Sequence, residues 1–497
     1  MLIIAAPVIA TMTSYTLMQF VDKLMVSRIS GDPIWVGAQG NGGLIAFVPI
    51  AIAMGFITVV NTFVSQNLGA DKPERAPAYA WTGIWIAVLY WLVVMVPLGI
   101  FLSRLLALGH DTRLSPAELA RVIERDQLAA GYGRILIFGS LITMAARGVA
   151  QYFYGMHKPV IVLIASVSGN IVNLILNSVL VYGPQAPSKH AWGALSPALD
   201  AWFAFTASAA ARLGIPRLDL AGSAISTVIG TTIELAIPLA VFLSPKFNRL
   251  YGTARAWRPS LAHMKDLWRI GWPPAVMFGN EMACWGFFMV YLVGDFGAAH
   301  STAGFIAHQW MSLSFMPTVG ISVAMTAMVG KCIGMKRIDL AVQRTWLGLG
   351  VAVTYMCFCG LCFVLFRKHL VTMFIDATTP PDQAEQIIKL GSQFLIATAA
   401  FQFFDGVAMS LSGSLKGAGD TRFPSIMTVL LSWSIIVAGG LALVRWAPQL
   451  QSLGPWIAAA LYIALLSIAM FWRFESGEWK KIKLLDDSDS TPVAAAA

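Results

Sequence analysis

Three stretches of this chain, 33–70, 76–103 and 159–188, contain no Asp, Glu, Lys or Arg at all. Uncharged runs of that length exceed any ordinary strand and are long enough to cross a hydrocarbon core, which takes about 20 apolar residues. Inside a bilayer every backbone polar group needs a partner within the protein, so such a run must be helical. The rest of the chain follows the same arithmetic. Hydrophobic residues make up 57% and charged residues 12%, where soluble domains carry about 25% charge. A soluble globule, a disordered chain and a disulfide-stapled scaffold are excluded. Apolar windows predict spans at about 2–28, 34–66, 77–104, 129–156, 159–183, 218–244, 267–294, 303–332, 343–366, 386–414, 423–446 and 454–473, with the eighth and ninth hardest to separate. The expected fold class is an all-α polytopic membrane protein with 12 transmembrane helices.

Net charge is +9. In a soluble protein that balance would raise nucleic acid as a partner. Here the bases gather in short loops, as cytoplasmic loops do. Six Lys/Arg lie between Lys246 and Arg269, and four between Arg473 and Lys483. With an even span count, both termini are expected in the cytoplasm of a cell with a bacterial-type inner membrane. Met1 runs straight into apolar sequence without a basic n-region, so the first segment reads as a retained span; almost nothing polar precedes it, and whether the N-terminus is complete stays open. The tail 475–497 is expected to be cytoplasmic and disordered from Asp486 onward. Five cysteines, all in apolar stretches, do not form a disulfide framework. Cys359 and Cys362 share a helix face, but no His or acid lies nearby, so packing is the reading preferred over a metal.

A repeat recurs at an offset of 265. Gly55/Gly320, Val64/Val329, Gly69/Gly334, Ala76/Ala341, Trp81/Trp346, Gly83/Gly348, Gly148/Gly413 and Pro159/Pro424 all match. Gly and Ala coincidences are cheap in this composition; a Trp and a Pro at one offset are not. Each copy holds six spans, so the copies share one orientation. This predicts two six-helix lobes, 1–245 and 267–474, joined by a basic linker at 246–266. The lobes would be related by a pseudo-twofold axis along the membrane normal, with a cavity between them that suits alternating access.

Charges at bilayer depth are costly and need a reason. The acidic candidates are Asp22, Glu234, Glu281 and Asp405. Asp405 stands in a polar stripe with Thr398, Gln402, Met409 and Ser412. Glu281 has Asn280 beside it and the Pro273-Pro274 pair below. Tyr15, Gln19 and Asp22 share a face of the first span, as Asn170, Asn173 and Asn177 do on the fifth. Carboxylates facing amides suit a hard cation or a proton. Neither Glu281 nor Asp405 has a Lys or Arg partner at similar depth in sequence, which points to a mobile counter-charge. Glu234, with only threonines beside it, reads as an interhelical hydrogen bond. His308 and Gln309 read either as substrate contacts or as structural donors. The 22 Met, 17 Trp and 28 Phe suit a cavity for apolar cations. No Gly-Lys-Ser/Thr loop or His-Glu-x-x-His appears. The expectation is therefore no enzyme, no cofactor and no metal beyond a possible Na⁺, with energy drawn from an ion gradient.

At these residues the chain resembles the multidrug and toxic compound extrusion family, in its NorM-like branch. The resemblance covers about 2–474. It rests on Phe20-Val-Asp22 after Pro7, Val64-Ser-Gln-Asn-Leu-Gly-Ala70, Asn173-x-x-x-Asn177 and Val181-Tyr-Gly183. In the second half it rests on Glu281, Ala307-His-Gln309, Phe404-Asp405 and Gly413-Ser-Leu-Lys-Gly-x-Gly-Asp420 before Pro424. It implies a monomeric antiporter that exports cationic or amphipathic compounds in exchange for Na⁺ or H⁺. By match, Glu281 and Asp405 would carry the coupling ion in the second lobe. Asp22, Asn173, Asn177 and Thr227 would form the first-lobe ion or proton site. Gln19, Asn280, His308, Gln309, Gln402 and Phe401 are the substrate-cavity candidates. Three residues depart from the family: Lys23 puts an ammonium beside Asp22, Ser27 replaces a usual Gly, and Phe401 stands where a Tyr can occur. The alternative is a flippase for a lipid-linked or polyisoprenoid substrate, which would have a more basic cavity and often fourteen spans.

Overall fold

The computed structural model describes residues 2–30, 32, 34–109, 115–187, 196–375 and 380–485; the tail from 486 lies outside them. It contains twelve helices long and apolar enough to cross a membrane. In chain order these are α1 Ile3–Val26, α2 Ile34–Gly69, α3 Pro73–Ala107, α4 Pro116–Gly155, α5 Pro159–Leu180 and α6 Asp219–Leu243. The second set is α7 Leu261–Phe296, α8 Ala298–Gly334, α9 Ile338–Thr372, α10 Pro381–Ala418, α11 Arg422–Trp446 and α12 Leu453–Glu475.

Hydropathy locates the spans but not the helix ends. α4 begins well before the expected 129, because Ser115 and Glu118 form a reciprocal cap. The Glu118 N–H donates to Ser115 Oγ at 3.4 Å, and the Ser115 N–H donates to Glu118 Oε2 at 3.0 Å. A helix can project past the membrane wherever its first turn is satisfied locally. A further helix, Ser196–Leu213, stands between α5 and α6 and packs Phe203 edge-on to Tyr182, ring centres 5.3 Å apart. Its alanine-rich, charge-flanked sequence carries no span signal.

The two sets of six form two lobes, each with its own aromatic core. In the first, Phe63 stacks on Tyr79 at 4.5 Å; in the second, Phe394 stacks on Trp456 at 5.4 Å. Helix partners repeat between the sets: α2 packs on α4 as α8 does on α10, and α5 on α6 as α11 does on α12. Between lobes the contacts are reciprocal, α1 with α8 and α7 with α2.

The 265-residue offset reappears in the detail of that interface. Gly55 faces Pro274, and Gly320 faces Ile9. Gly69 faces Lys331, and Gly334 faces Gln66. Pro274 lies 265 residues after Ile9, and Lys331 lies 265 after Gln66, so each contact is the other with the lobes exchanged. The turns repeat as well: Asp71 and Lys336, again 265 apart, take left-handed φ of 58° and 57°. These relations are what a twofold operation between two copies of one unit produces.

One end of the interface is sewn with hydrogen bonds. Asn61 Nδ2 donates to Val323 O at 3.3 Å, Thr62 Oγ1 to Lys416 O at 2.9 Å and Gln66 Nε2 to Gly417 O at 2.9 Å. His157 Nε2 pairs with Ala327 O at 3.1 Å. This seam lies where α2, α4, α8 and α10 finish and where the loops carry Lys72, Lys158 and Lys336.

Candidate functional site

The first lobe gathers its polar stripes into one cluster. Asp22, 6% exposed in a membrane-spanning helix, accepts from Asn177 Nδ2 at 2.5 Å. Asn177 Nδ2 also reaches Asn173 Oδ1 at 3.2 Å, and Asn173 Nδ2 donates to Thr227 Oγ1 at 3.4 Å. The Thr227 hydroxyl donates to Ser223 O at 3.0 Å and stands beside the Asp22 carboxylate. Asp22, Asn173, Asn177 and Thr227 thus converge from α1, α5 and α6. The helical spacing explains the convergence: Asn173 and Asn177 are one turn apart on α5, and burying them needs partners out of lipid. Among the described residues, Asn177 Oδ1 has no hydrogen-bond partner. A buried orphan oxygen beside a carboxylate is a position that a small cation would satisfy.

Glu234 lies seven residues after Thr227 on α6, and its surroundings differ in kind. Tyr15 donates a short hydrogen bond to its carboxylate. The Arg147 guanidinium lies 3.6 Å from Glu234 Oε1 and 3.9 Å from the centre of the Tyr15 ring. The expected interhelical hydrogen bond is therefore present, together with an ion pair that the sequence reading missed. Arg147 sits inside the apolar run of α4, and the rule that buried charge needs a partner applies to bases as well as acids. Glu234 has a basic partner within the protein; Asp22 is held by an amide instead. Lys23 is exposed and acts electrostatically on His308 of the other lobe.

In the second lobe Glu281 on α7 and Asp405 on α10 are both half-buried and act electrostatically on each other. Tyr462 of α12 stands within electrostatic reach of both. Asn280 ties α7 to α11, donating to Ser432 Oγ at 2.9 Å and accepting from Trp433 Nε1 at 2.6 Å. Among the described residues neither acid has an ion pair within 4 Å, but a base does lie within electrostatic reach of Glu281. Lys416 acts electrostatically on Glu281, and it sits in the largely buried last turn of α10.

The cavity candidates separate. Gln19 is exposed, while Asn280, His308 and Gln309 are half-buried. Phe401 and Gln402 are each 1% exposed. Phe401 packs in the second-lobe core, and Gln402 Nε2 donates to Ser314 Oγ at 2.9 Å.

Known proteins share this architecture. The family profile described as MatE matches residues 7–179 and 274–439. The chain is 27% identical over 496 residues to a probable multidrug resistance protein NorM of Pseudomonas putida, covering 99% of this chain and 97% of that one. It is 28% identical over 477 residues to the multidrug resistance protein NorM of Burkholderia vietnamiensis, covering 95% and 92%. Among solved structures it resembles an outward-facing multidrug resistance transporter of the MOP superfamily, with a TM-score of 0.80, 18% identity and coverage of 97% and 96%. A second, from Pyrococcus furiosus and described as having a binding pocket of reversed polarity, gives a TM-score of 0.80 at 18% identity over 97% and 96%. At that identity both likenesses speak to the fold.

Proposed function

The chain belongs to the MatE family, and from that premise we propose that it is a secondary active antiporter. It exports cationic or amphipathic compounds in exchange for Na⁺ or H⁺; it is a transporter, not an enzyme. The observation that carries the reading is that Glu281 and Asp405, on the first and fourth helices of the second lobe, stand within electrostatic reach of each other inside the spans. Two acids so placed repel each other when both are ionised, and a proton or a monovalent cation relieves that repulsion. An ion that binds one access state better than the other shifts the population, and that differential links its gradient to export.

The Asp22–Asn173–Asn177–Thr227 cluster is assigned as the first lobe's ion or proton site. Gln19, Asn280, His308 and Gln309 are assigned to the substrate path. The basic end, with both termini, is placed in the cytoplasm of a bacterial inner membrane, on the positive charge of its loops. In that orientation the hydrogen-bonded seam closes the cytoplasmic side, and this state faces outward. The deciding experiment is ethidium efflux from proteoliposomes under separately imposed Na⁺ and pH gradients. Efflux driven by either gradient supports antiport and names the ion; efflux indifferent to both overturns it.

A further inference from the structure

Lys416 joins two parts of the molecule that the transport cycle has to connect. Thr421 Oγ1 donates to Ile270 O at 2.6 Å, which sets the register of the α10–α11 turn against α7. The two helices run antiparallel. From that bond Lys416 lies five residues back along α10, and Glu281 eleven residues forward along α7. The ammonium stands 5.8 Å from the centre of the Phe278 ring, one turn below Glu281 on the same helix face. At the same residue the backbone belongs to the interlobe seam: Lys416 O accepts from Thr62, and Gly417 O accepts from Gln66, both donors on α2 of the first lobe.

We propose that Lys416 is a tethered counter-cation for Glu281, competing with the coupling ion for that carboxylate and passing its arrival to the interlobe seam. The proposal rests on the assignment of Glu281 and Asp405 as the second-lobe ion site. Two carboxylates and one ammonium leave a single negative charge, so one monovalent ion or one proton brings the site to neutrality. When the ion takes Glu281, the ammonium loses its partner within a turn of the residues that hold the lobes together. A lysine suits this role because its charge is compact and rides on a flexible stem that can swing between partners. Lys416 is in this sense a positioning residue, acting through Glu281 and the seam.

The test uses the full chain in proteoliposomes, with ethidium efflux measured against the concentration of whichever ion, Na⁺ or H⁺, drives it. Lys416→Met keeps the stem and removes the charge. It should reach half-maximal rate at about tenfold lower ion concentration, equivalent to ~1.4 kcal/mol, while its maximal rate falls. Lys416→Arg should restore the wild-type ion dependence. If the Met variant does not fold, Lys416→Gln gives the same readout. An unchanged half-maximal concentration in a folded, charge-free variant overturns the proposal, as does an equal shift in the Arg variant. Glu281→Gln separates the two levels. If it loses gradient-driven efflux while Lys416→Met keeps the wild-type ion dependence, only the role of Lys416 fails. If Glu281→Gln exports normally, the ion site fails and the tethered cation with it.

Discussion

Asn177 on α5 donates its amide to the Asp22 carboxylate on α1 at 2.5 Å, and among the described residues the oxygen of that same amide has no partner. The pair sets an anionic group beside a buried acceptor, and the charge of the carboxylate is what the proposed first-lobe site needs. Asp22→Asn preserves shape and hydrogen bonding but removes the charge. It is expected to fold normally and to lose at least about tenfold in gradient-driven efflux, a change of ~1.4 kcal/mol. Efflux at the wild-type rate with matched expression would reduce Asp22 to a structural residue.

Glu281→Gln and Asp405→Asn should each insert and fold, since neither carboxylate is held by an ion pair within 4 Å among the described residues. Each is expected to abolish efflux driven by the coupling ion while leaving ethidium binding to the purified protein measurable. Loss of dye binding together with transport would place these acids in the substrate site instead.

Arg147 and Glu234 predict the opposite outcome, in stability. Their side chains are 20% and 8% exposed, and removing one partner of a buried pair costs about 3–5 kcal/mol. Arg147→Met should lower the thermal unfolding midpoint in detergent markedly, and Arg147→Met with Glu234→Gln should recover part of the loss. A midpoint unchanged in the single variant would mean that the pair contributes nothing.

Gly320 offers a test of the interface. A Cβ there would come within 2.9 Å of the Ile9 backbone, and one at Gly55 within 2.9 Å of Ala275 Cα. Backbone cannot yield to a side chain, so Gly320→Leu and Gly55→Leu should each part the lobes at the seam. In a background lacking the five native cysteines, Ser65→Cys, buried in this state, should label faster with a membrane-permeant maleimide in both variants. Equal labelling rates would show that the seam is not coupled to these contacts.

The pH dependence of export should not originate in the α1–α2 loop. The Ile34 N–H donates to Asp32 at 3.0 Å, and the Arg121 guanidinium lies 2.7 Å away; together they hold the Asp32 carboxyl below the usual carboxylate range. A depressed native value adds stability above the unfolded value of about 3.9 and loses it only as pH falls through the native one. Between pH 5 and 8 that contribution is constant. Asp32→Asn should therefore leave the pH–efflux profile where it was, and a displaced midpoint would count against this.

Much of the architecture is legible in the sequence, because its causes are local or periodic. Uncharged runs must be helical in a bilayer, and their spacing yields twelve spans. The 265-residue offset is a property of the sequence, and it returns as paired contacts at Gly55 and Gly320. The stripe of Asn173 and Asn177 announces a site because both residues lie on one helix face. What only the tertiary structure decided is which faces meet and at what depth. Arg147 reads as one base in an apolar helix until α4, α6 and α1 close around Glu234 and Tyr15. Lys416 reads as terminal in sequence, but packing sets its ammonium over Phe278, one turn from Glu281. Phe401 stands one turn from Asp405, and only the packing of the neighbouring helices shows that it is buried in the second-lobe core. Periodicity fixes which residues share a face of a helix; the neighbour that face meets depends on packing between distant segments, which no local pattern encodes.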